Sequence, residues 1–124
     1  MTLVVPRGHA LVGKHVTWSS IKSYPYILIR GGYAEHVLRT SKIHVKPVFV
    51  VEHIASAIVM VRKGLGITVL PSTVIDALNM KGLERVTLKG GRTIRKLGVA
   101  YYRGFALSKA AQNFIAMVSE ESKA

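Results

Sequence analysis

The chain has 124 residues, 49% of them apolar, and carries 18 lysines and arginines against 6 acids for a formal charge of +12. That is room for one domain with a real core rather than two, and it is too apolar for a disordered chain. The absence of cysteine excludes disulfides, zinc–thiolate sites and thiol nucleophiles, and the positive charge points to nucleic acid, an anionic ligand or an acidic partner surface.

Thr2 to Val5 reads as a strand that Pro6 ends. "HVTWSSIKSYP" supports one short helical turn, with Thr17 as its N-cap. Tyr26 to Ile29 has the uninterrupted apolar character of a buried strand. Arg30-Gly31-Gly32 turns the chain into a helical segment over Tyr33 to Arg39. Lys46 to Val51 predicts a second buried strand, with Pro47 near its beginning, where a missing N–H is tolerated.

The strongest helix runs from His53 to Lys63. Ile54, Ile58 and Val61 share one face, and Ala55, Ala57 and Met60 widen it. Arg62 and Lys63 complement the negative helix end. Gly64 suits the left-handed position beyond the cap, from which Leu65 folds back on Met60. Gly66 allows the next strand, Ile67 to Leu70, to start against the helix backbone. Pro71 stops that strand, and Thr73 with Asp76 three residues later predicts a capped helix. Leu83 to Leu88 follows as a strand, "KGGR" as a turn, and Leu97, Val99 and Tyr101 alternate as in a half-buried strand. Ser108 caps a last helix with the stripe Ala111, Phe114, Ile115 and Val118, whose end, from Glu120, should fray.

This order predicts an α/β fold with parallel strands at Ile27, Val48 and Ile67 joined by helices. The longest apolar run, Ile54 to Val61, is far too short to span a membrane. "MTLVVPRGHALVG" has no basic segment before a long apolar core, so no signal peptide is expected.

Three stretches resemble one family: "LVVPRGHALVGKHVTWSSIKSYPYIL", "VFVVEHIASAIVMVRKGLGITVLP", and "GLERVTL" followed by "LGVAYYRGFALSKAAQNFIAMV". The chain is similar over nearly all its length to the effector-binding domain of LysR-type transcriptional regulators. That resemblance implies a periplasmic-binding-protein-like (type II) subdomain, with a mixed, mostly parallel sheet flanked by helices. It implies that residues 1–124 form a single effector-binding (sub)domain: the second subdomain with one crossing strand before it, and a returning strand and terminal helix after it. The family's winged helix-turn-helix and most of its first subdomain have no counterpart here. It further implies a cytoplasmic protein that binds a small-molecule effector in a cleft between subdomains, reaches promoter DNA through the DNA-binding domain, and works as a homo-oligomer, a dimer or tetramer.

In open α/β sheets, ligands sit beyond the carboxyl ends of the strands. That rule selects Arg30, Gly31 and Gly32 after one strand, Glu52 and His53 after the next, and Pro71 and Ser72 after the third. Arg30 either clamps a carboxylate, with free N–H groups at the Gly32-Tyr33 helix start as further donors, or is a solvated residue beside a turn. Glu52 and His53 either hydrogen-bond a ligand or merely begin the long helix. Gly64 and Gly66 are structural, since GLG follows a helix and lacks the lysine and spacing of a phosphate loop.

The histidines at 9, 15, 36, 44 and 53 show no metal spacing, no serine sits in G-x-S-x-G, and no two acids form a recognisable pair. No metal, cofactor or enzymatic activity is expected. "KGGRTIRK" reads as a solvated hairpin rather than a nucleic-acid site, because it has no interleaved aromatics. The leading reading is therefore an effector sensor for a small, anionic organic ligand. A domain binding nucleic acid through its own charge, or a fragment of a solute-binding protein, are the alternatives.

Overall fold

The computed structural model describes residues 1–90 and 96–121. The chain divides into two compact units, Met1–Thr93 and Ile94–Ala124.

The first unit contains β1 (Thr2–Pro6), α1 (Trp18–Ile21), β2 (Ile27–Ile29), α2 (Tyr33–Thr40), β3 (Phe49–Val51), α3 (Ile54–Arg62), β4 (Thr68–Leu70), α4 (Ser72–Asp76) and β5 (Leu83–Thr87). β1 lies between β4 and β5 and runs antiparallel to both, with Leu3 opposite Val69 and Val86. β2 and β3 are parallel, with Ile27 opposite Phe49 and Ile29 opposite Val51. A parallel bridge between Tyr26 and Ile67 joins the two groups. Around it, the Ile27 N–H donates to Ile67 O at 2.9 Å, and the Ile67 N–H donates to Pro25 O at 2.9 Å. The spatial order is therefore β3-β2-β4-β1-β5, with β1 alone running against the others.

Strand alternation sends side chains to both faces of this sheet. Leu3, Val5, Tyr26, Ile67, Val69 and Val86 bury one face against Trp18 and Ile21 of α1 and Ala34 and Val37 of α2. Val4, Ile27, Leu70 and Leu83 bury the other against Ala57, Ile58 and Val61 of α3 and Ile75 of α4. The result is a three-layer unit in which helices cover both faces, as parallel strands require.

Local expectations hold at several points. Thr17 caps α1 in a reciprocal box with Ser20. Gly64 has φ +77°, its N–H donates to Val61 O at 2.9 Å, and the Leu65 N–H donates to Met60 O at 3.0 Å. That pair of bonds is the Schellman closure of α3.

Four expectations are corrected. Lys46 to Val51 is not a buried strand: only Phe49–Val51 pairs, and Val48, Phe49 and Val50 are exposed. Among the described residues β3 is the sheet's edge, with a neighbour on one side only. Gly66 does not meet a helix backbone; a Cβ there would lie 2.7 Å from Pro25 O, so the close approach is to the entry of β2. Thr73 and Asp76 do not cap α4, whose N-cap is Pro71, two residues earlier, without a side-chain cap bond. Asp76 instead pairs with Arg85 at 3.0 Å. Finally, Leu97, Val99 and Tyr101 form no ladder and are exposed. Alternation makes a strand only where another strand supplies hydrogen bonds, and none among the described residues does so.

In the second unit, α5 (Lys109–Glu121) begins with the Ala111 N–H donating to Ser108 Oγ at 3.1 Å, as expected. No residue of α5 is buried, and Phe114, Met117 and Val118 are exposed. The second half of the "KGGR" turn and most of "KGGRTIRK" lie outside the described residues, as does the end of the expected frayed tail.

Candidate functional site

Because β2, β3 and β4 run the same way side by side, their carboxyl ends emerge at one edge of the first unit. β3 delivers Glu52 and His53, β2 delivers Arg30 to Gly32, and β4 delivers Pro71 and Ser72. The three tips predicted from strand ends are therefore neighbours. The Arg30 N–H donates to Val51 O at 2.8 Å, which fixes the β2 and β3 tips against each other. Antiparallel β1 brings its first residue to the same rim, where the Thr2 and Ser72 hydroxyls are 2.9 Å apart. Thr2 escaped the sequence reading, because only an antiparallel partner for β4 places an N-terminus there.

Arg30, Glu52 and His53 are exposed, and none of their side chains makes an ion pair or hydrogen bond among the described residues. His53 occupies the N-cap position of α3 without a side-chain cap bond. The first-turn N–H groups of α3 lack intrahelical partners by construction and face the rim, with the positive end of the helix dipole.

The α2 start differs from expectation. The Gly31 N–H donates to Glu35 Oε2 at 2.6 Å, and the Gly32 N–H donates to Ile29 O at 3.2 Å. Of the donors expected to be free at this helix start, the Gly32 N–H is engaged within the chain, as is the Gly31 N–H before it. Gly31 is required for its shape, with φ +69°, and a Cβ on Gly32 would lie 3.0 Å from Ile29 O. A carboxylate from the first turn of α2 thus sits where an external anion would approach.

Behind the rim, Tyr26 is fully buried and its hydroxyl has no hydrogen-bond partner among the described residues. Burial, and then the Glu35 carboxylate, push its ionisation well above the ordinary tyrosine value. Among the described residues, no group of three His, Asp or Glu side chains is placed to hold a metal, and no helix is long and apolar enough to cross a membrane.

The family model for the LysR substrate binding domain matches residues 1–123. The chain belongs to the LysR substrate-binding domain family. A curated relative, the uncharacterized HTH-type transcriptional regulator YybE of Bacillus subtilis (strain 168), is 27% identical over 116 residues, which cover 89% of this chain and 39% of YybE. The chain therefore spans about two fifths of that regulator's length. Among solved structures, the Synechocystis PCC6803 CcmR regulatory domain in complex with 2-PG superposes with a TM-score of 0.79 at 19% identity, covering 98% of this chain and 62% of that one. The effector-binding domain of QuiR in complex with shikimate also gives 0.79, at 16% identity, over 98% of this chain and 60% of its own. At such identities the likeness concerns the fold, which is the type II periplasmic-binding-protein-like fold of LysR effector domains.

Proposed function

We propose that this LysR-family chain is the effector-sensing part of a transcriptional regulator, and that a small organic anion binds at the rim formed by the ends of β2, β3 and β4. The observation that carries this reading is the convergence of Arg30, Glu52, His53 and Pro71 at one end of the sheet, where the Arg30 side chain has no partner among the described residues. Arg30 offers a planar fork of donors that matches a carboxylate. The start of α3 adds backbone N–H groups and a favourable dipole. Glu52 and His53 suit hydroxyl groups on the same ligand. Gly31 and Gly32 shape the corner on which Arg30 stands, and Glu35 satisfies the Gly31 N–H there.

On this reading residues 1–124 are an effector-binding (sub)domain that works with a winged helix-turn-helix and the remainder of the first subdomain. Effector binding favours one arrangement of a cytoplasmic homo-oligomer over another, and so changes its grip on promoter DNA. No covalent step, metal or cofactor takes part. The ligands of the CcmR and QuiR complexes support a small-molecule effector.

The test is a thermal-shift screen of small organic acids. A ligand at a hundred times its Kd stabilises the folded state by about 2.7 kcal/mol. Wild type should respond to at least one acid, and Arg30→Ala should lose that response. An equal response in Arg30→Ala and Glu52→Ala removes the site from the rim. Tight, salt-sensitive binding of random duplex DNA by the chain alone would favour the nucleic-acid reading instead.

A further inference from the structure

A second concentration of positive charge lies on the opposite edge of the sheet, about three strand spacings, or roughly 14 Å, from Arg30. Here a parallel bridge joins Val16 to Leu88, and the Lys89 N–H donates to Val16 O at 2.7 Å. That junction brings Lys14 and His15 against the outer edge of β5, although about seventy residues separate them in sequence. The turn at Gly13, with φ +74°, and a bond from the Lys14 N–H to Leu11 O at 3.1 Å fix the direction of the loop. Lys14, His15, Arg85, Thr87 and Lys89 line a groove of about 390 Å³.

We propose that this groove is a binding site for a small, multiply charged phosphate compound, distinct from the ends of β2, β3 and β4. Arg85 is already oriented, because its NH1 donates to Asp76 Oδ1 at 3.0 Å, and its remaining N–H groups have no partner among the described residues. Three cations, Lys14, Arg85 and Lys89, outnumber the one carboxylate that holds Arg85, and no acid among the described residues lines the groove. A monocarboxylate would satisfy only the arginine fork. A phosphate group presents several oxygens with more than one negative charge, and so uses the lysines and the Thr87 hydroxyl as well. The size lies at the lower end of small-molecule sites, and the absence of lining aromatics disfavours stacked single strands.

The test uses the ¹⁵N-labelled 124-residue chain titrated with sodium pyrophosphate at constant ionic strength. Saturable shifts are expected in the amides of Lys14, His15, Arg85 and Lys89. Lys14→Ala and Lys89→Ala should each weaken binding by roughly tenfold, while Arg30→Ala leaves it unchanged. Both lysines are exposed, so these variants should fold normally, which the unperturbed amide shifts of the core would verify. Shifts confined to residues 30–32 and 52–54, shifts that never saturate, or shifts that sodium acetate reproduces at the same ionic strength would overturn the proposal. So would random duplex DNA shifting the same amides and displacing pyrophosphate, since the groove would then be part of a nucleic-acid surface.

Discussion

The Thr68 hydroxyl donates to the Ile27 carbonyl at 2.8 Å, wholly inside the molecule. It is the single buried polar residue among the hydrophobic core residues described, and it ties β4 to β2, the two strands whose tips carry Pro71 and Arg30. Ladder bonding between these strands is limited to one bridge, so a side chain supplements it. Replacing the hydroxyl with a methyl in Thr68→Val should cost about 1 kcal/mol in chemical denaturation, because a buried acceptor loses its donor. Unchanged stability would mean that the bond contributes nothing to the junction.

Gly66 lies two residues before β4 at the same junction. Its Cβ would meet Pro25 O at 2.7 Å and Ile27 Cγ1 at 3.1 Å. Gly66→Ala must separate β4 from β2 and should cost about 1–3 kcal/mol. Gly64→Ala meets no atom within 4 Å, but it places a side chain at φ +77°, for about 1–2 kcal/mol. The two variants differ in kind: Gly64→Asn should recover much of the loss at position 64, because asparagine tolerates the left-handed region, whereas Gly66→Asn should be worse than Gly66→Ala. Urea midpoints of the four variants decide this.

Tyr26 supplies an alkaline signature. Its folded-state ionisation is raised, first by burial and then by Glu35. The unfolded chain therefore releases this proton near pH 10 while the folded chain retains it. Stability present below pH 10 should fall as the pH rises further, by up to about 1.4 kcal/mol per pH unit. Tyr26→Phe should flatten that fall. It should also leave neutral-pH stability equal or slightly higher, since it removes a buried hydroxyl with no partner among the described residues. A clear loss of stability at pH 7 would show that the hydroxyl is satisfied after all.

His9 acts at the other end of the scale. Its Nδ1 accepts the Leu11 N–H at 3.2 Å, its ring lies 5.1 Å from that of Tyr24, and burial lowers its pKa. The neutral form is the one the fold favours. Its contribution is present above the ordinary histidine pKa and is lost as the pH falls below about 6.5. Melting temperature should therefore decline between pH 7 and pH 5, and the decline should be smaller in His9→Gln.

Much of this arrangement was legible in the chain. The apolar face of α3, its Arg-Lys-Gly ending and the proline after β4 each have a local cause that nothing in the tertiary structure opposes. The convergence of residues 30, 52 and 71 followed from strand direction alone. What failed depended on neighbours. The apolar run Val48 to Val51 reads the same in a central or an edge strand, and only its place in the sheet leaves it exposed. Asp76 is three residues beyond Thr73, but Arg85 on β5 claims it. Leu97, Val99 and Tyr101 alternate correctly and still make no ladder, because pairing needs a second strand. Glu35 at the glycine corner was also missed; a first-turn acid four residues after Gly31 was the available signal.

The central claim is that the ends of β2, β3 and β4 form one ligand-binding rim. Amide chemical-shift mapping of the ¹⁵N-labelled chain with an organic acid found in the thermal-shift screen tests it most directly. The account predicts saturable shifts clustered at residues 30–32, 52–54 and 71–73, abolished together by Arg30→Ala. A responding acid whose shifts fall elsewhere, with those three segments silent, would contradict it.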